Sequence, residues 1–490
     1  MRSKSFLFPM IFVLICLALS TTVNAQTASQ TGKIPITTSS EKAKTDFLKG
    51  RDLSEQLRAQ DSITFYETAI KEDPNFATAY IYLAGAQTNA NDFFANVSKA
   101  ANLADKVSDG ERLWILGIQA GANGLPSKQG EYYEKMVASY PNDERGHNLL
   151  GGYYFGLQQY DKAAKEFQRA IEINPKFSPA YNLLGYVNRF QKNYTESEKN
   201  FKKYIELVPG DPNPYDSYAE LLLKIGRFDE SIENYGKALS KDPHFFPSYL
   251  GMATDYNLKN DHAQARQQLQ KLYDNARGDG DRRAALFAMS VSYVDEGKWK
   301  DGLGQQEKML AIAQKANDSA NVSGDLNLIG GLLLEYGSPA EAKAKFDQAA
   351  KAIATSNLSS DVKSVGQRND IYNSAQVALA QKDLKTAHVK ADEYRKAAEG
   401  AKNQFELWQA HEIAGRIALE EKKYDAAISE LKQSNLQDPY NIYRLSLAYQ
   451  GKGDAAKAKE LHDQALQYNA LNNLNYAIIR AKTNAPAAMN

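Results

Sequence analysis

Six histidines, at positions 147, 244, 262, 388, 411 and 462, are the side chains best suited to proton transfer or metal ligation near neutral pH. No two stand close enough in the chain to form a local metal pair. His411 and Glu412 begin like the helical zinc-protease motif, but the second histidine would have to fall at Gly415. His411 is therefore expected to be structural. Gly451-Lys452-Gly453 lacks the spacing and the following hydroxyl of a phosphate-binding loop, and it reads as a helix C-cap. Gly278-Asp279-Gly280-Asp281 is acidic but lacks the ordered oxygen ligands and distal glutamate of a calcium loop, so a solvated turn is expected there. No serine sits in the glycine-flanked elbow of a hydrolase. These residues predict a chain that is not an enzyme, with no cofactor and no metal site.

The 29 tyrosines could stack against sugars or bases, but most recur at fixed intervals, including Tyr154, Tyr181, Tyr204, Tyr215, Tyr235 and Tyr249, and core packing explains them first. The interval itself defines the elements. Four windows of 34 residues run end to end over residues 144–279. The first carries Gly151, Tyr154, Ala163, Phe167, Ala170 and Pro175, and the same places return as Gly185, Asn188, Ser197, Phe201, Tyr204 and Pro209. The third window holds Ala219, Leu222, Ser231, Tyr235, Ala238 and Pro243, and the fourth Ala253, Tyr256, Ala265, Leu269 and Leu272. A fixed period of this length marks a repeat architecture. Residues as small as Gly151 and Ala163, twelve apart, allow the two helices of a hairpin to approach closely, with Tyr154 and Phe167 filling the space beside them. Asn174-Pro175 ends the second helix, because proline has no amide to donate and restricts the residue before it. Ser178-Pro179, Asn213-Pro214, Ser338-Pro339 with Glu341, and Thr38 with Glu41 predict capped helix starts.

This pattern resembles the tetratricopeptide repeat, a helix-turn-helix unit. The resemblance implies an all-α fold, a right-handed superhelical solenoid of about twelve helix-turn-helix repeats. The match weakens outward from the central block without stopping. Divergent repeats are expected over residues 43–143, the regular block over 144–279, and irregular repeats over 280–407. In that irregular part the small residues of the second helices, Gly302, Ala342, Ala387 and Ala427, are spaced by more than 34. Longer helices or loops are expected at 275–281, 317–323, 356–364 and 398–403. The pattern returns over 408–470, and 471–490 is expected to form a capping helix and tail over the last hairpin.

Lys plus Arg number 59, as do Asp plus Glu, so no net field favours nucleic acid or an anionic membrane surface. The first 25 residues differ in kind. Arg2 and Lys4 precede an apolar run from Phe6 to Leu19, and Val23-Asn24-Ala25 offers small residues for cleavage after Ala25. The run is shorter than the roughly 20 residues of a spanning helix, so a cleaved signal peptide is expected over an uncleaved anchor. Residues 26–40 read as a flexible linker. The lone cysteine, Cys16, falls inside the signal, which leaves a mature chain without thiols, suited to an oxidising compartment. A periplasmic or secreted location follows, with no integral membrane segment after cleavage; the oligomeric state is not legible.

In proteins with this repeat the first helix of each hairpin lines the concave side, where peptides or partner helices lie. Carried onto this chain, the groove column comprises Asn148, Asn182, Tyr186, Arg189, Asp216, Glu220, Thr254 and Asn257. Asparagines there could bond the backbone of an extended peptide, with Tyr186 and Arg189 as anchors. The subclass that captures a C-terminal carboxylate of cytosolic chaperones is not matched: the column has no lysine, and Asp216 and Glu220 would repel that group. The resemblance thus implies an exported scaffold for a protein or peptide partner, with envelope assembly as a setting. The alternatives are a periplasmic solenoid binding a small ligand or glycan and, more distantly, an enzyme formed in the irregular half.

Overall fold

A computed structural model describes residues 32–484, and within them every regular element is a helix. The expected signal peptide and residues 26–31 of the expected linker lie outside that range. The first six hairpins pair α1 (Glu41–Glu55) with α2 (Ala59–Glu72), α3 (Ala77–Ala86) with α4 (Ala90–Asn102), α5 (Asp109–Ala122) with α6 (Pro126–Ser139), α7 (Glu144–Gly156) with α8 (Tyr160–Ile173), α9 (Ser178–Phe190) with α10 (Tyr194–Leu207), and α11 (Asn213–Lys224) with α12 (Phe228–Lys241). The next six pair α13 (Phe246–Leu258) with α14 (His262–Asp274), α15 (Asp279–Asp295) with α16 (Trp299–Lys315), α17 (Ser319–Glu335) with α18 (Pro339–Ala354), α19 (Ser360–Ala380) with α20 (Leu384–Ala401), α21 (Gln404–Glu420) with α22 (Tyr424–Leu431), and α23 (Pro439–Lys452) with α24 (Ala455–Leu466). One further helix, α25 (Leu474–Asn484), follows.

Six of the hairpins close through a glycine on the first helix and a large residue sixteen positions on. A Cβ built on Gly151 would come within 2.6 Å of the Phe167 ring, and one on Gly185 within 2.7 Å of Phe201. The same relation joins Gly50 to Tyr66, Gly117 to Tyr133, Gly330 to Phe346 and Gly415 to Leu431. The ring therefore takes the space a side chain would fill. Twelve-residue spacing also meets across the hairpin: the Ser197 hydroxyl donates to the Gly185 carbonyl at 2.8 Å, and Ser231 to Ala219 at 2.9 Å. Buried serines are in this way satisfied without a gap in the packing. Between the two helices the chain turns through a left-handed residue, Gln158, Lys192, Gly226 and Asn260 in consecutive hairpins.

Several local expectations are corrected. Ser338 makes no side-chain cap, and Ser178 and Asn213 lie inside their helices, the proline after each sitting in the first turn. Asn213 instead donates to the buried Tyr204 hydroxyl at 2.8 Å. The cap of α1 is Ser40, because Thr38 donates to Asp73. Of the tyrosines, Tyr204 and Tyr235 are buried, but Tyr181, Tyr215 and Tyr249 are half-exposed and donate to the carbonyls of Pro175, Pro209 and Pro243, bracing the loop between hairpins. Residues 32–40 are not free of the fold: Ile34 donates its amide to Asp143, Thr37 to Glu111 and Ser39 to Asp73.

Among the larger contacts between helices that are not consecutive, all but α4 with α17 join odd-numbered helices. First helices therefore line the inside of the curve. The curve closes on itself, so that the turn inside an early hairpin meets a loop about seven hairpins later. Arg277 pairs with Asp61 at 3.0 Å, the Ala90 amide donates to Asp318 at 2.8 Å, Asn403 donates to the Gly124 carbonyl at 3.3 Å, and Gln158 to Asn435 at 2.7 Å. Gly278-Asp279-Gly280-Asp281 is part of this seam. The helix starts at Asp279, and Asp281 is buried, accepting from Gln60 and from the Arg277 amide, where a solvated turn was expected. The longer spacing of the irregular half comes mainly from longer helices: α15 to α21 run to 16–21 residues, against 12–14 in the regular block.

Candidate functional site

Position in the repeat decides which side chains face the channel. Along the open stretch, the residues three before and one after the small packing residue of a first helix line the channel, as Asn327 and Gly331 do beside Gly330. In the regular block this column is Asn148 and Gly152, Asn182 and Tyr186, Asp216 and Glu220, then Leu250 and Thr254. Continued through the irregular half it becomes Phe287 and Val291, Asn327 and Gly331, Tyr372 and Gln376, and Glu412 and Arg416.

The eight expected groove residues lie on the first helices α7, α9, α11 and α13, and most are already bonded within the chain. Arg189 pairs with Glu220 at 3.0 Å and lies over the rings of Tyr186, 4.7 Å from its centroid, and Phe190. The Tyr186 hydroxyl donates to Ser217 at 3.3 Å, and its ring meets the Phe201 ring. Asp216 is buried and accepts from Ser248 at 2.7 Å; burial first, then the Glu220 carboxylate, pushes its carboxyl well above the usual range. Thr254 donates to the Leu250 carbonyl and accepts the Asn472 amide at 3.3 Å, while Asn257 accepts from Ser292 at 2.8 Å. Asn148 and Asn182 differ, each keeping a buried side-chain oxygen with no hydrogen-bond partner among the described residues.

The chain's own end crosses this face. Beyond α24, Tyr468 and Asn469 meet Lys224, Asn472 meets Thr254, and α25 settles against α15 and α23, with fewer contacts to α24. The helix expected to cover the last hairpin touches both of its helices and also reaches across the channel to α15. The reason is apolar surface: Val291, Val294 and Leu332 form one buried cluster with Tyr476, Ala477, Ile478 and Ile479.

From α17 to α23 the channel stays open as a trough of about 760 Å³, bounded by α25 on one side. Glu412 sits at its floor, accepting from Arg444 at 2.7 Å and from Arg416 and Tyr372 at 3.4 Å. Burial alone would raise Glu412, but Arg444 and Arg416 outweigh it and hold the carboxyl below the ordinary range. Arg444 also stacks 3.9 Å over the Tyr440 ring, and Arg416 donates to Gln376 at 2.9 Å. Phe405, 45% exposed, and Trp408 form an aromatic rim with centroids 5.5 Å apart. This combination of fixed guanidinium groups, amides and a partly exposed aromatic edge suits recognition. Sequence reasoning stopped at the regular block and missed it, although stepping the same register from Gly415 leads to Glu412 and Arg416.

Among the described residues no three His, Cys, Asp or Glu side chains gather as metal ligands, and no helix is long and apolar enough to cross a membrane. His411 is bonded to Glu430 of α22 at 2.7 Å.

Two family models described as tetratricopeptide repeat match the chain, over residues 144–177 and 166–199. Comparison with curated proteins finds no match. Among solved structures, TTC0263, a thermophilic TPR protein of Thermus thermophilus, is 21% identical with a TM-score of 0.29, over 44% of this chain and 98% of that one. MamA of Desulfovibrio magneticus RS-1 is 18% identical with a TM-score of 0.29, over 33% and 92%. YrrB, described as a TPR protein with an unusual peptide-binding site, is 14% identical with a TM-score of 0.26, over 37% and 93%.

Proposed function

We propose that this chain, which belongs to the tetratricopeptide-repeat proteins, is an exported, non-enzymatic scaffold that holds a protein or peptide partner along its concave face. The observation that carries the reading is the open trough from α17 to α23, where Gln376, Arg416, Arg444, Phe405 and Trp408 converge in one channel. Asn148 and Asn182 extend the same surface into the first turn, their buried oxygens free to accept the backbone amides of an extended segment. Tyr186, Arg189, Asp216, Glu220, Thr254 and Asn257 belong to that surface as its supporting network, because their polar groups are already bonded within the chain. The N-terminal apolar run supports export to the periplasm or outside the cell, and the balance of 59 cationic against 59 anionic residues argues against nucleic acid as the partner. Envelope assembly is the setting this reading favours.

The test is site-specific photocrosslinking from Gln376 and from Asn182 in the native cell, with mass spectrometry. One recurring protein captured from these positions, and not from the outward-facing Lys390, is the expected result. Absence of a recurrent protein, together with a discrete sugar or small metabolite seen by calorimetry, would instead establish the small-ligand alternative. Fractionation of the tagged chain tests export.

A further inference from the structure

The channel over α13 and α15 is already filled, and its occupant is chemically informative. We infer that this stretch is a binding site for a short basic amphipathic helix, that α25 is its intramolecular ligand, and that a partner helix carrying the same face displaces it. The inference rests on the reading of the concave face as the partner surface, and it names the partner's chemistry.

Three observations carry it. First, α25 is no part of the repeat stack: the twelve hairpins are complete without it, and a helix-free stretch with left-handed Asn469 and Asn472 joins it to α24. Second, the contact has the make-up of a helix in a groove, with anchors on one segment meeting a prepared surface. Ile478 and Ile479 share one buried cluster with Val291, Val294 and Leu332 of the channel wall and with Leu445 and Ala448 of α23. Third, the charges are complementary around that apolar centre. Arg480 donates to Asp295 at 2.7 Å and to the Asn257 carbonyl at 3.0 Å, and Lys482 pairs with Glu335. The groove supplies the carboxylates and the helix the cations.

A partner therefore needs two adjacent aliphatic residues followed within a turn by Arg or Lys. Because the resident helix is tethered, it competes at a high effective concentration, and an external helix gains access only where the resident is weakened or the partner brings further contacts. Those contacts are available next door, since Leu474, Asn475 and Ile478 form one wall of the open trough. Displacement would join the two stretches into one continuous channel.

The experiment uses the full chain and a fluorescein-labelled synthetic peptide of residues 468–484. Arg480→Glu in the chain should loosen the resident and tighten peptide binding at least tenfold relative to the unaltered chain, and adding Asp295→Arg should abolish that gain. Equal affinity in the unaltered and Arg480→Glu chains, both folded by circular dichroism, would overturn the inference. Should Arg480→Glu fail to fold, the unaltered chain decides. Excess isotope-labelled peptide should speed hydrogen exchange of the resident 474–484 amides at least tenfold while α15 keeps its protection, and unchanged exchange would show α25 to be inseparable core. Peptide binding without any cellular partner would leave this site standing and sink the scaffold reading; a crosslinked partner without peptide binding would sink this inference alone.

Discussion

The ammonium of Lys224 lies 3.5 Å from the centre of the Tyr468 ring and donates to the Tyr468 carbonyl, so a residue of α11 holds the point where the chain leaves its last hairpin to cross the channel. Burial first, then the charges of Arg189 and Lys192, lowers this lysine to about 7. The group is charged in the unfolded chain up to its ordinary 10.5 but gives up its proton far earlier when folded. Its contribution to stability is therefore full above about 10.5 and is lost as the pH falls towards 7. Thermal melts of the unaltered chain and of Lys224→Met should diverge across pH 7 to 10, the unaltered chain gaining by up to about 1.4 kcal/mol per pH unit. Parallel pH profiles would show that burial does not govern this contact.

The turn inside each hairpin gives a second prediction, with opposite signs at two equivalent places. Gly226 has φ +80° and Lys192 φ +62°, both in the left-handed region where a Cβ is unfavourable. Gly226→Ala should cost about 1 kcal/mol, whereas Lys192→Gly should stabilise by a smaller amount, because the added glycine also gains freedom in the unfolded chain. Melting temperatures moving in opposite directions would bear this out; a loss in both would mean that Lys192 is held by contacts that outweigh its strain.

The packing of small on large was the part of the fold most legible beforehand, and it can be tested within the regular block. Gly185→Ala would place a Cβ 2.7 Å from the Phe201 ring, and overpacking of this kind costs roughly 1–3 kcal/mol. Phe201→Leu in the same chain should restore part of the loss, since Ala253 and Leu269 pack together at the equivalent places of a later hairpin. If the double variant melts below both singles, the ring is needed for more than filling space.

Legibility followed distance along the chain. Gly151, Ala163, Phe167 and Pro175 lie within one repeat, so their period exposes the hairpin directly. The seam joins Asp61 to Arg277 and Gly124 to Asn403 through loops of ordinary composition, and nothing local marks loops that meet after a full turn of the superhelix. Ser178 and Ser338 have the residue types of caps, yet proline in the first turn leaves fewer amides to satisfy, and neither serine is used. For the candidate site, the register that placed Asn182 and Tyr186 also contains Glu412 and Arg416, and lengthened helices between the blocks obscured it. The path of α25 could have been suspected from Phe287 and Val291, the point where the inward column turns apolar.

The trough floor predicts a sharp asymmetry between two ways of altering one pair. Arg444→Ala leaves the half-buried Glu412 with only the longer bonds from Tyr372 and Arg416, and because removing one partner of a buried pair costs about 3–5 kcal/mol, this partly solvated pair should lose about 3 kcal/mol or less. Adding Glu412→Gln should recover much of that loss, because no buried charge is then left unpaired. The double variant, folded but with an uncharged floor, should bind its crosslinked partner at least tenfold more weakly if Arg444 orients the partner. Unchanged binding would assign the pair to stability alone.

Asp255 offers the opposite pH dependence from Lys224, in the same hairpin stack. It is fully buried on α13, neither oxygen accepts a hydrogen bond among the described residues, and the nearby Ser231 hydroxyl donates to the Ala219 carbonyl. Burial pushes its carboxyl up to about 8. Folded chains keep this proton while unfolded chains lose it near 4, so the stability it lends is full below about 4 and declines as the pH rises to about 8. Asp255→Asn keeps the shape without the ionisation. Its melting temperature relative to the unaltered chain should rise steadily from pH 4 to pH 8 and level off above, and a difference that is flat across that window would mean that Asp255 is ionised and solvated within the fold.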